Sequence, residues 1–243
     1  MTSIDYSIVV PAYNEEKIIG QTINTLHTYF IKQGKSFELI IANDGSKDKT
    51  SEIVKEKIKH YKELRLVINV TNLGKGAALT NGFKHAHGNI QLLTDADLAI
   101  DFELFPKLVH ALENGADIAI GSKHLSTSEV QGSVLRRFFS KGYSFLTKTF
   151  LGSNIKDYQC GFKAFKKEAI QKILPTIKEQ GWNWDTEVLV KATWMGFKIV
   201  ELPANVITLY DRQSKVRVIR DTVKMFQGLY RIWKEKKNFK KLD

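Results

Sequence analysis

The chain of 243 residues has one cysteine, Cys160. A lone thiol excludes an intrachain disulfide and zinc sites built from CxxC pairs, so the sequence fits a reducing compartment such as the cytoplasm. The motif GxGxxG is missing, which disfavours dinucleotide binding. The motif GxxxxGK(S/T) is missing as well, so the sequence has no P-loop.

Long apolar runs are also lacking. No segment of the sequence approaches the ~18 apolar residues that a helix needs to cross a bilayer. The N-terminus, MTSIDYSIVVPAYNEE, lacks the basic and apolar regions of a signal peptide. We therefore expect a soluble or peripheral protein.

Acidic residues are outnumbered, with 26 Asp and Glu against 37 Lys and Arg, which gives a net charge of +11. Most of this charge lies at the C-terminus, because residues 212–243 contain eleven bases and three acids. A basic block of this kind predicts an anionic partner, and it leaves open whether that partner is a membrane, a nucleic acid or a phosphorylated substrate.

Strand and helix patterns alternate over the first 121 residues. This order predicts an α/β fold with a mostly parallel sheet flanked by helices. We assign residues 1–215 to one domain and residues 216–243 to a basic amphipathic C-terminal helix. The predicted strands are 6–11, 37–42, 65–70, 89–94, 117–121, 198–202 and 206–209, and the predicted helices include 15–30, 50–59, 76–86, 102–113 and a segment around 187–194.

Four polar clusters follow four successive predicted strands, at residues 11–15, 43–46, 72–76 and 95–97. Because ligands of parallel sheets bind at the carboxyl ends of the strands, we expect these clusters to line one crevice.

Asp95 and Asp97 form the most informative of these clusters. A D-x-D sequence at a strand end can turn two carboxylates toward one Mg²⁺ or Mn²⁺, which prefer hard oxygen ligands and bridge substrate phosphates. Such a metal stabilises a leaving nucleoside diphosphate. The alternative interpretation is that the two acids cap the helix predicted at 102–113.

The two middle clusters supply an acid, glycines and a cation. Asp44 can accept a hydrogen bond from a base or ribose, and Gly45 leaves room for a ligand, although both also fit a plain turn. Lys75 lies between two glycines at the start of a predicted helix, where a cation and open backbone suit an anion.

Taken together, the motifs resemble family 2 glycosyltransferases of the GT-A fold, in particular the dolichyl-phosphate glucose and dolichyl-phosphate mannose synthases. The resemblance covers roughly residues 5–217. Each motif is short, but their order and spacing are specific. The motifs are VVPAYNEE, IIANDGSKDKT, NLGKGAAL, LLTDADLA, IGSKHL, YQCGFKAF, WNWDTE and RQSKV.

The resemblance implies an inverting transfer of a hexose from a nucleotide sugar to a polyprenyl phosphate of the dolichyl type. Mannose synthases often have a metal-contacting Gln where this chain has Ala99, so UDP-glucose is favoured over GDP-mannose as the donor. Asp97 and Asp185 are the implied catalytic residues. The implied donor-binding residues are Pro11, Tyr13, Glu15, Asp44, Gly45, Lys75 and Asp95, with Mg²⁺ or Mn²⁺ held by Asp95 and Asp97.

The resemblance also implies an acceptor site. Asp185 and Glu187 match an acidic pair near the acceptor, where Asp185 would orient the sugar or the acceptor, although it could instead cap its helix. A lipid phosphate needs no general base because it is already anionic. The implied ligands of the acceptor phosphate are Lys123, Arg136, Arg137, Ser140 and Lys215, of which Lys123 replaces an arginine common in the mannose enzymes.

Two amphipathic basic segments, 134–151 and 216–233, have the pattern of helices that lie on anionic lipid. They predict a peripheral protein on the cytoplasmic face of a membrane. The same stripes could instead pack into the core or against a second copy.

Two other functions stay open at this point. A related transferase with a soluble saccharide acceptor would need a working base, for which Asp185 is the candidate. A nucleic-acid-binding module would explain the basic tail but not the clusters at the strand ends, so we expect no nucleic-acid partner.

Overall fold

The computed structural model describes residues 4–125, 142–143, 146–207, 218–236 and 239. Helices and strands alternate through most of this part of the chain. The strands are β1 (Tyr6–Ala12), β2 (Phe37–Asn43), β3 (Leu64–Ile68), β4 (Ile90–Thr94), β5 (Ile118–Ser122), β6 (Phe162–Lys166) and β7 (Ile199–Pro203). The helices are α1 (Ile19–Lys32), α2 (Thr50–Ile58), α3 (Lys75–Lys84), α4 (Leu104–Glu113), α5 (Lys167–Ile173), α6 (Trp184–Trp194) and α7 (Val218–Lys236).

These strands form one seven-stranded sheet in the order β3-β2-β1-β4-β6-β5-β7. Its pairs are parallel except for those that β6 makes with β4 and β5, which are antiparallel. The predicted α/β fold with a mostly parallel sheet is therefore confirmed.

Each face of the sheet has its own apolar core. In β1, Ile8 and Val10 point into the cluster under α1 and α4, whereas Val9 points into the cluster under α3 and α6. This alternation follows from the two-residue period of a strand, and an inner strand covered on both faces is apolar throughout.

Strand β6 is not among the strands predicted from the sequence, although its residues Phe162–Phe165 belong to the motif YQCGFKAF. The segment Phe162–Lys166 lies between β4 and β5 in the sheet. Because β6 runs antiparallel, its first residue, Phe162, is paired with Thr94, the last residue of β4. The loop before β6 is thereby brought beside the D-x-D sequence.

Some observed strands and helices begin or end a few residues away from their predicted bounds. Strand β3 ends at Ile68, two residues earlier than predicted, and Val70 lies in the following loop with its side chain almost fully exposed. In place of the strand predicted at 206–209, the described residues show a bridge between Ile100 and Val206. Residues 208 and 209 lie outside the described part of the chain.

The predicted C-terminal helix is present as α7, and it packs on the domain through Leu229 and Ile232, which are buried in the core beside α6. The stripe that periodicity predicts to touch lipid is a different one, formed by Val216, Ile219, Val223, Phe226, Tyr230 and Trp233. Its described members Phe226, Tyr230 and Trp233 are each between a third and three fifths exposed. Within the described residues, no helix combines the length and the apolar character needed to cross a membrane.

Candidate active site

Asp44 follows β2 and ties down the loop that leads to α3. Its carboxylate accepts hydrogen bonds from the side-chain amide of Asn69 (2.8 Å), from the backbone N–H of Leu73 (3.1 Å) and from that of Gly74 (2.7 Å). The side chain is buried. Buried carboxylates are stable when several N–H groups satisfy them, so Asp44 fixes the loop at the point where α3 begins.

Gly74 is required by this arrangement. Its φ of +116° is a backbone conformation that favours glycine, and an added Cβ would lie 2.4 Å from the carbonyl oxygen of Gln180. The neighbouring backbone N–H of Ala77 donates to that same oxygen at 3.0 Å. The start of α3 is therefore fitted closely against the 177–181 segment.

Lys75, the first residue of α3, extends from this loop toward β4. Its Nζ lies 2.8 Å from Oδ1 of Asp95 and 3.7 Å from Oδ2 of Asp185, at the start of α6. Burial by itself would lower the pKa of Lys75, but the carboxylates of Asp95 and Asp185 outweigh it and the pKa is raised. Lys75 is therefore a cation at neutral pH.

The pKa of Asp95 is shifted in the opposite direction. Burial would raise the pKa of Asp95, but the ammonium group of Lys75 outweighs it, so the pKa is lowered. Lys163 and Lys123 add to this effect. Asp95 is therefore ionised at neutral pH.

The carboxylate of Asp95 fits here because residue 161 has no side chain. A Cβ on Gly161 would lie 1.8 Å from Oδ2 of Asp95, while the backbone N–H of Asp95 donates to the carbonyl oxygen of Gly161 at 3.2 Å. The loop before β6 is thus part of the site. The preceding residue, Cys160, is fully buried, and burial raises the pKa of its thiol to about 11, so it stays protonated at neutral pH.

We expect Gly161→Ala to lower turnover about tenfold or more, because the added methyl displaces the Asp95 carboxylate. Initial rates with saturating donor measure this effect. Gly181→Ala is the matched control, since a Cβ there meets no atom within 4 Å. Equal rates for the two variants and the unmodified chain would contradict the close approach of Gly161 to Asp95.

Asp97 lies two residues beyond Asp95, half-buried, at a sharp change of chain direction. The next residue, Leu98, has a φ of +49°, which is unusual for a residue with a side chain. The buried Leu98 side chain belongs to the core cluster under α4, so packing holds this strained turn in place. Strain of this kind is concentrated at functional sites.

A cleft of about 510 Å³ lies beside β2 and β3. Among its lining residues are Tyr13, which follows β1, and Gly45 and Ser46, which follow β2. Pro11, near the end of β1, and Glu15 lie two residues before and two residues after Tyr13 in the chain, and both are half-buried. Of the predicted donor-binding residues, Tyr13 and Gly45 thus line the cleft, which lies beside the carboxyl ends of β1 and β2.

Lys123 follows β5, on the other side of Asp95 from this cleft in the order of the strands. Its Nζ is 3.9 Å from Oδ2 of the buried Asp157, and its side chain is about a third exposed. Lys123 and Lys75 both lower the pKa of Asp95, and Lys75 has the larger effect. The other predicted ligands of the acceptor phosphate, Arg136, Arg137, Ser140 and Lys215, lie outside the described residues.

The residues present fit Mg²⁺ or Mn²⁺ by their chemistry. Asp95 and Asp97 supply hard carboxylate oxygens at a strand end, and these ions are commonly held by one or two carboxylates together with substrate phosphates and water. In the part of the chain that the structure describes, no three His, Cys, Asp or Glu side chains are grouped to hold a metal.

Comparison with known proteins agrees with this arrangement. The sequence profile described as Glycosyl transferase family 2 matches residues 7–174, which include Asp44, Lys75, Asp95 and Asp97. The chain belongs to glycosyl transferase family 2. The family expected from the motifs is thereby confirmed.

Individual relatives show which members of this family the chain is similar to. The chain is 40% identical to the dolichyl-phosphate beta-glucosyltransferase ALG5A of Trichomonas vaginalis, over 83% of this chain and 65% of that protein. It is 34% identical to the dolichyl-phosphate beta-glucosyltransferase of Saccharomyces cerevisiae, over 92% and 72%. Glycosyltransferase AglD of Haloferax volcanii is 34% identical over 95% of this chain, which spans only 37% of AglD.

The fold is shared with solved structures as well. Glucosyl-3-phosphoglycerate synthase from Mycobacterium tuberculosis, solved with Mn²⁺, UDP-glucose and phosphoglyceric acid, superposes with a TM-score of 0.68. The two chains are 18% identical, and the match covers 98% of this chain and 81% of the other. At this identity the likeness establishes the fold alone, and the GT-A architecture predicted from the motifs is confirmed.

The site contains residues that the sequence analysis missed. Lys163 belongs to β6 and Gly161 to its preceding loop; both are part of the motif YQCGFKAF, but neither was named as a site residue. Trp182 was also missed, although its indole ring lies 5.7 Å from Nζ of Lys75. The one available signal for Gly161 and Lys163 was the motif YQCGFKAF, which does not show which of its side chains turn inward.

Proposed function

We propose that this protein transfers a hexose, with inversion, from a nucleotide sugar to a polyprenyl phosphate of the dolichyl type. UDP-glucose is the favoured donor and GDP-mannose the next. One observation carries the proposal: Lys75 is held as a cation between the carboxylates of Asp95 and Asp185, at the end of the sheet where the donor cleft opens.

On the donor side, the cleft beside Tyr13 and Gly45 has room for a nucleoside, and Lys75 lies where the diphosphate would emerge from it. A fixed cation favours the charge that develops on a leaving diphosphate. Asp44 supports this role because it holds the loop from which Lys75 projects. A direct contact between Asp44 and the base or ribose stays a prediction.

Asp95 and Asp97 would hold Mg²⁺ or Mn²⁺. When bound, the metal would neutralise diphosphate charge and lower the barrier to departure of the nucleoside diphosphate. Two features of the described residues support this assignment, namely the position of both acids at one strand end and the lowered pKa of Asp95. The Mn²⁺ seen in glucosyl-3-phosphoglycerate synthase is consistent with such a site.

On the acceptor side, Lys123 offers a charge for an incoming phosphate. A phosphate monoester attacks as an anion, so no group has to remove a proton from it. Asp185 fits this chemistry because it is buried and pairs with two lysines, an arrangement that suits orienting Lys75 better than accepting a proton. The names of the relatives point to the same class of acceptor.

Incubation with a panel of donors tests the proposal. UDP-glucose, GDP-mannose and other nucleotide sugars are supplied with dolichyl phosphate and Mn²⁺ or Mg²⁺, and the mass of the lipid product is read. We expect a hexosyl phospholipid, formed fastest from UDP-glucose. Transfer to a soluble saccharide but not to the lipid phosphate would favour the alternative acceptor and would make Asp185 the candidate base.

The exposed face of α7 would bring the enzyme to its lipid acceptor. Tyr230 and Trp233 stack at a centroid distance of 5.9 Å, and Nζ of Lys234 lies 4.7 Å from the centre of the Tyr230 ring. Aromatic rings with basic neighbours suit the interface of an anionic membrane. We assign the enzyme to the cytoplasmic face of that membrane, as the sequence predicts.

We expect the combined change Tyr230→Ser and Trp233→Ser to weaken binding to vesicles containing anionic lipid about tenfold or more, because it removes apolar area from the interface. Vesicle co-sedimentation measures the effect, and calorimetry with UDP is the control for folding. Unchanged sedimentation would remove this face of α7 from the membrane contact.

A further inference from the structure

A lysine is buried beneath the proposed active site. Lys163 lies in β6, and its side chain has no solvent exposure. Its ammonium group donates to Oδ1 of Asp185 at 2.6 Å and to the carbonyl oxygen of Cys160. A charge this deep is stable only when paired and hydrogen-bonded, so this position demands both partners.

Lys163 completes a row of alternating charges. Along the row, Nζ of Lys75 is 2.8 Å from Asp95, Asp185 is 3.7 Å from Lys75, and Lys163 is 2.6 Å from Asp185. The two oxygens of Asp185 are therefore divided, with Oδ1 on Lys163 and Oδ2 toward Lys75. The shorter contact of Asp185 is the one with Lys163.

The same lysine also fixes the loop beside Asp95. By donating to the carbonyl oxygen of Cys160, it holds the residue before Gly161, whose missing side chain leaves room for the Asp95 carboxylate. Lys163 thus contacts the support of both acids that flank Lys75. The motif YQCGFKAF contains Lys163, but the sequence analysis did not name it as a site residue.

We propose that Lys163 is a positioning residue that keeps Lys75 directed at Asp95 and at the donor diphosphate. This inference rests on the proposed function, because it concerns the same donor site. With Lys163 in place, its ammonium group pairs with the Asp185 carboxylate, and Lys75 keeps its closer contact with Asp95. Without it, Asp185 turns its full charge to Lys75 and draws the ammonium group away from the diphosphate.

Lys163→Met tests the inference, because methionine keeps the length of the side chain and removes the charge. We expect the Kd for UDP, measured by calorimetry, to rise about tenfold or more. The chain offers a matched control in Lys191, which is equally buried and pairs with Glu187 and Glu235 on the far side of α6. Lys191→Met should weaken folding in a similar way but change the Kd for UDP by less than about threefold.

A double-mutant cycle separates positioning from a merely structural role. If Lys163 acts through Asp185, adding Lys163→Met to Asp185→Asn changes the Kd for UDP by less than about threefold, so the two effects are not additive. If Lys163→Met alone does not fold, the double variant can still be compared with Asp185→Asn, because the double variant leaves no unpaired buried carboxylate. Additive effects, or equal losses in the Lys163 and Lys191 variants, would overturn the inference.

A crystal structure of the Lys163→Met variant without ligand shows directly where Asp185 and Lys75 lie. The inference requires the Asp185 carboxylate to turn toward Lys75 and the distance from Lys75 to Asp95 to lengthen. An unmoved Asp185 would overturn it. Failure of the unmodified chain to bind UDP would instead count against the proposed function, and this crystallographic result would still decide the role of Lys163.

Discussion

Replacing Lys75 with methionine is expected to lower turnover about a thousandfold and to raise the Kd for UDP about thirtyfold. The change removes the cation that lies 2.8 Å from Asp95 and faces the donor cleft. It also leaves Asp95 and Asp185 without the charge between them, so the two carboxylates repel a diphosphate as well as each other. Both losses fall on the step in which negative charge grows on the leaving group.

Single-turnover rates and calorimetry with UDP measure the two effects of this change. Lys84→Met is the matched control, because Lys84 is exposed in the last turn of the same helix α3. A thermal melt of each variant shows whether the fold survives. UDP affinity equal to that of the unmodified chain would remove Lys75 from the donor site, whatever happened to turnover.

Asp97→Ala is expected to abolish the dependence of UDP binding on Mn²⁺ and to lower turnover about a thousandfold. Asp97 supplies one of the two carboxylates at the end of β4, and alanine offers no oxygen in its place. Because Asp95 is engaged by Lys75, it cannot compensate alone. The effect on binding should therefore appear only when the divalent ion is present.

Calorimetry of UDP with and without Mn²⁺ measures this dependence directly. Asp101→Ala provides the comparison, since Asp101 is another acid of the same segment and accepts a hydrogen bond from the backbone N–H of Glu103. Loss of this hydrogen bond should cost about 1 kcal/mol of stability and leave the metal dependence intact. A Mn²⁺ response that survives in Asp97→Ala would count strongly against the metal site.

The carboxyl-end arrangement of the site was predictable from the sequence because it depends on few physical rules. Alternating strand and helix patterns require crossover connections, and these make the strands parallel and gather their carboxyl ends on one edge. Asp44, Lys75 and Asp95 each follow a recognisable strand or begin a helix. Their meeting at one edge follows from the order of the elements without any knowledge of contacts.

The role of β6 could not be predicted in the same way. A strand that enters a parallel sheet in the opposite direction leaves no distinct mark on a short apolar segment such as Phe162–Lys166. Only its pairing with β4 turns Lys163 toward Asp185 and brings Gly161 against Asp95. A buried ion pair is a property of two distant segments, so neither segment reveals it alone.

The C-terminal helix shows the same division. Periodicity predicted a helix with an apolar stripe, and the structure has a helix over Val218–Lys236. It did not reveal that Leu229 and Ile232 would pack on the core while Tyr230 and Trp233 stay exposed. The predicted stripe and the pair Leu229 and Ile232 are both apolar, and only the shape of the underlying domain decides which of them is covered.

The sequence by itself determined the fold class, the family and the edge of the sheet at which the site forms, because local periodicity and short motifs encode these features. Tertiary structure alone decided that Asp44 is engaged with its loop, that Lys75 lies between Asp95 and Asp185, and that Lys163 lies beneath them. The physical reason is that burial and pairing of charge arise from segments far apart in the chain. Their strength depends on distances of a few ångströms that no local pattern records.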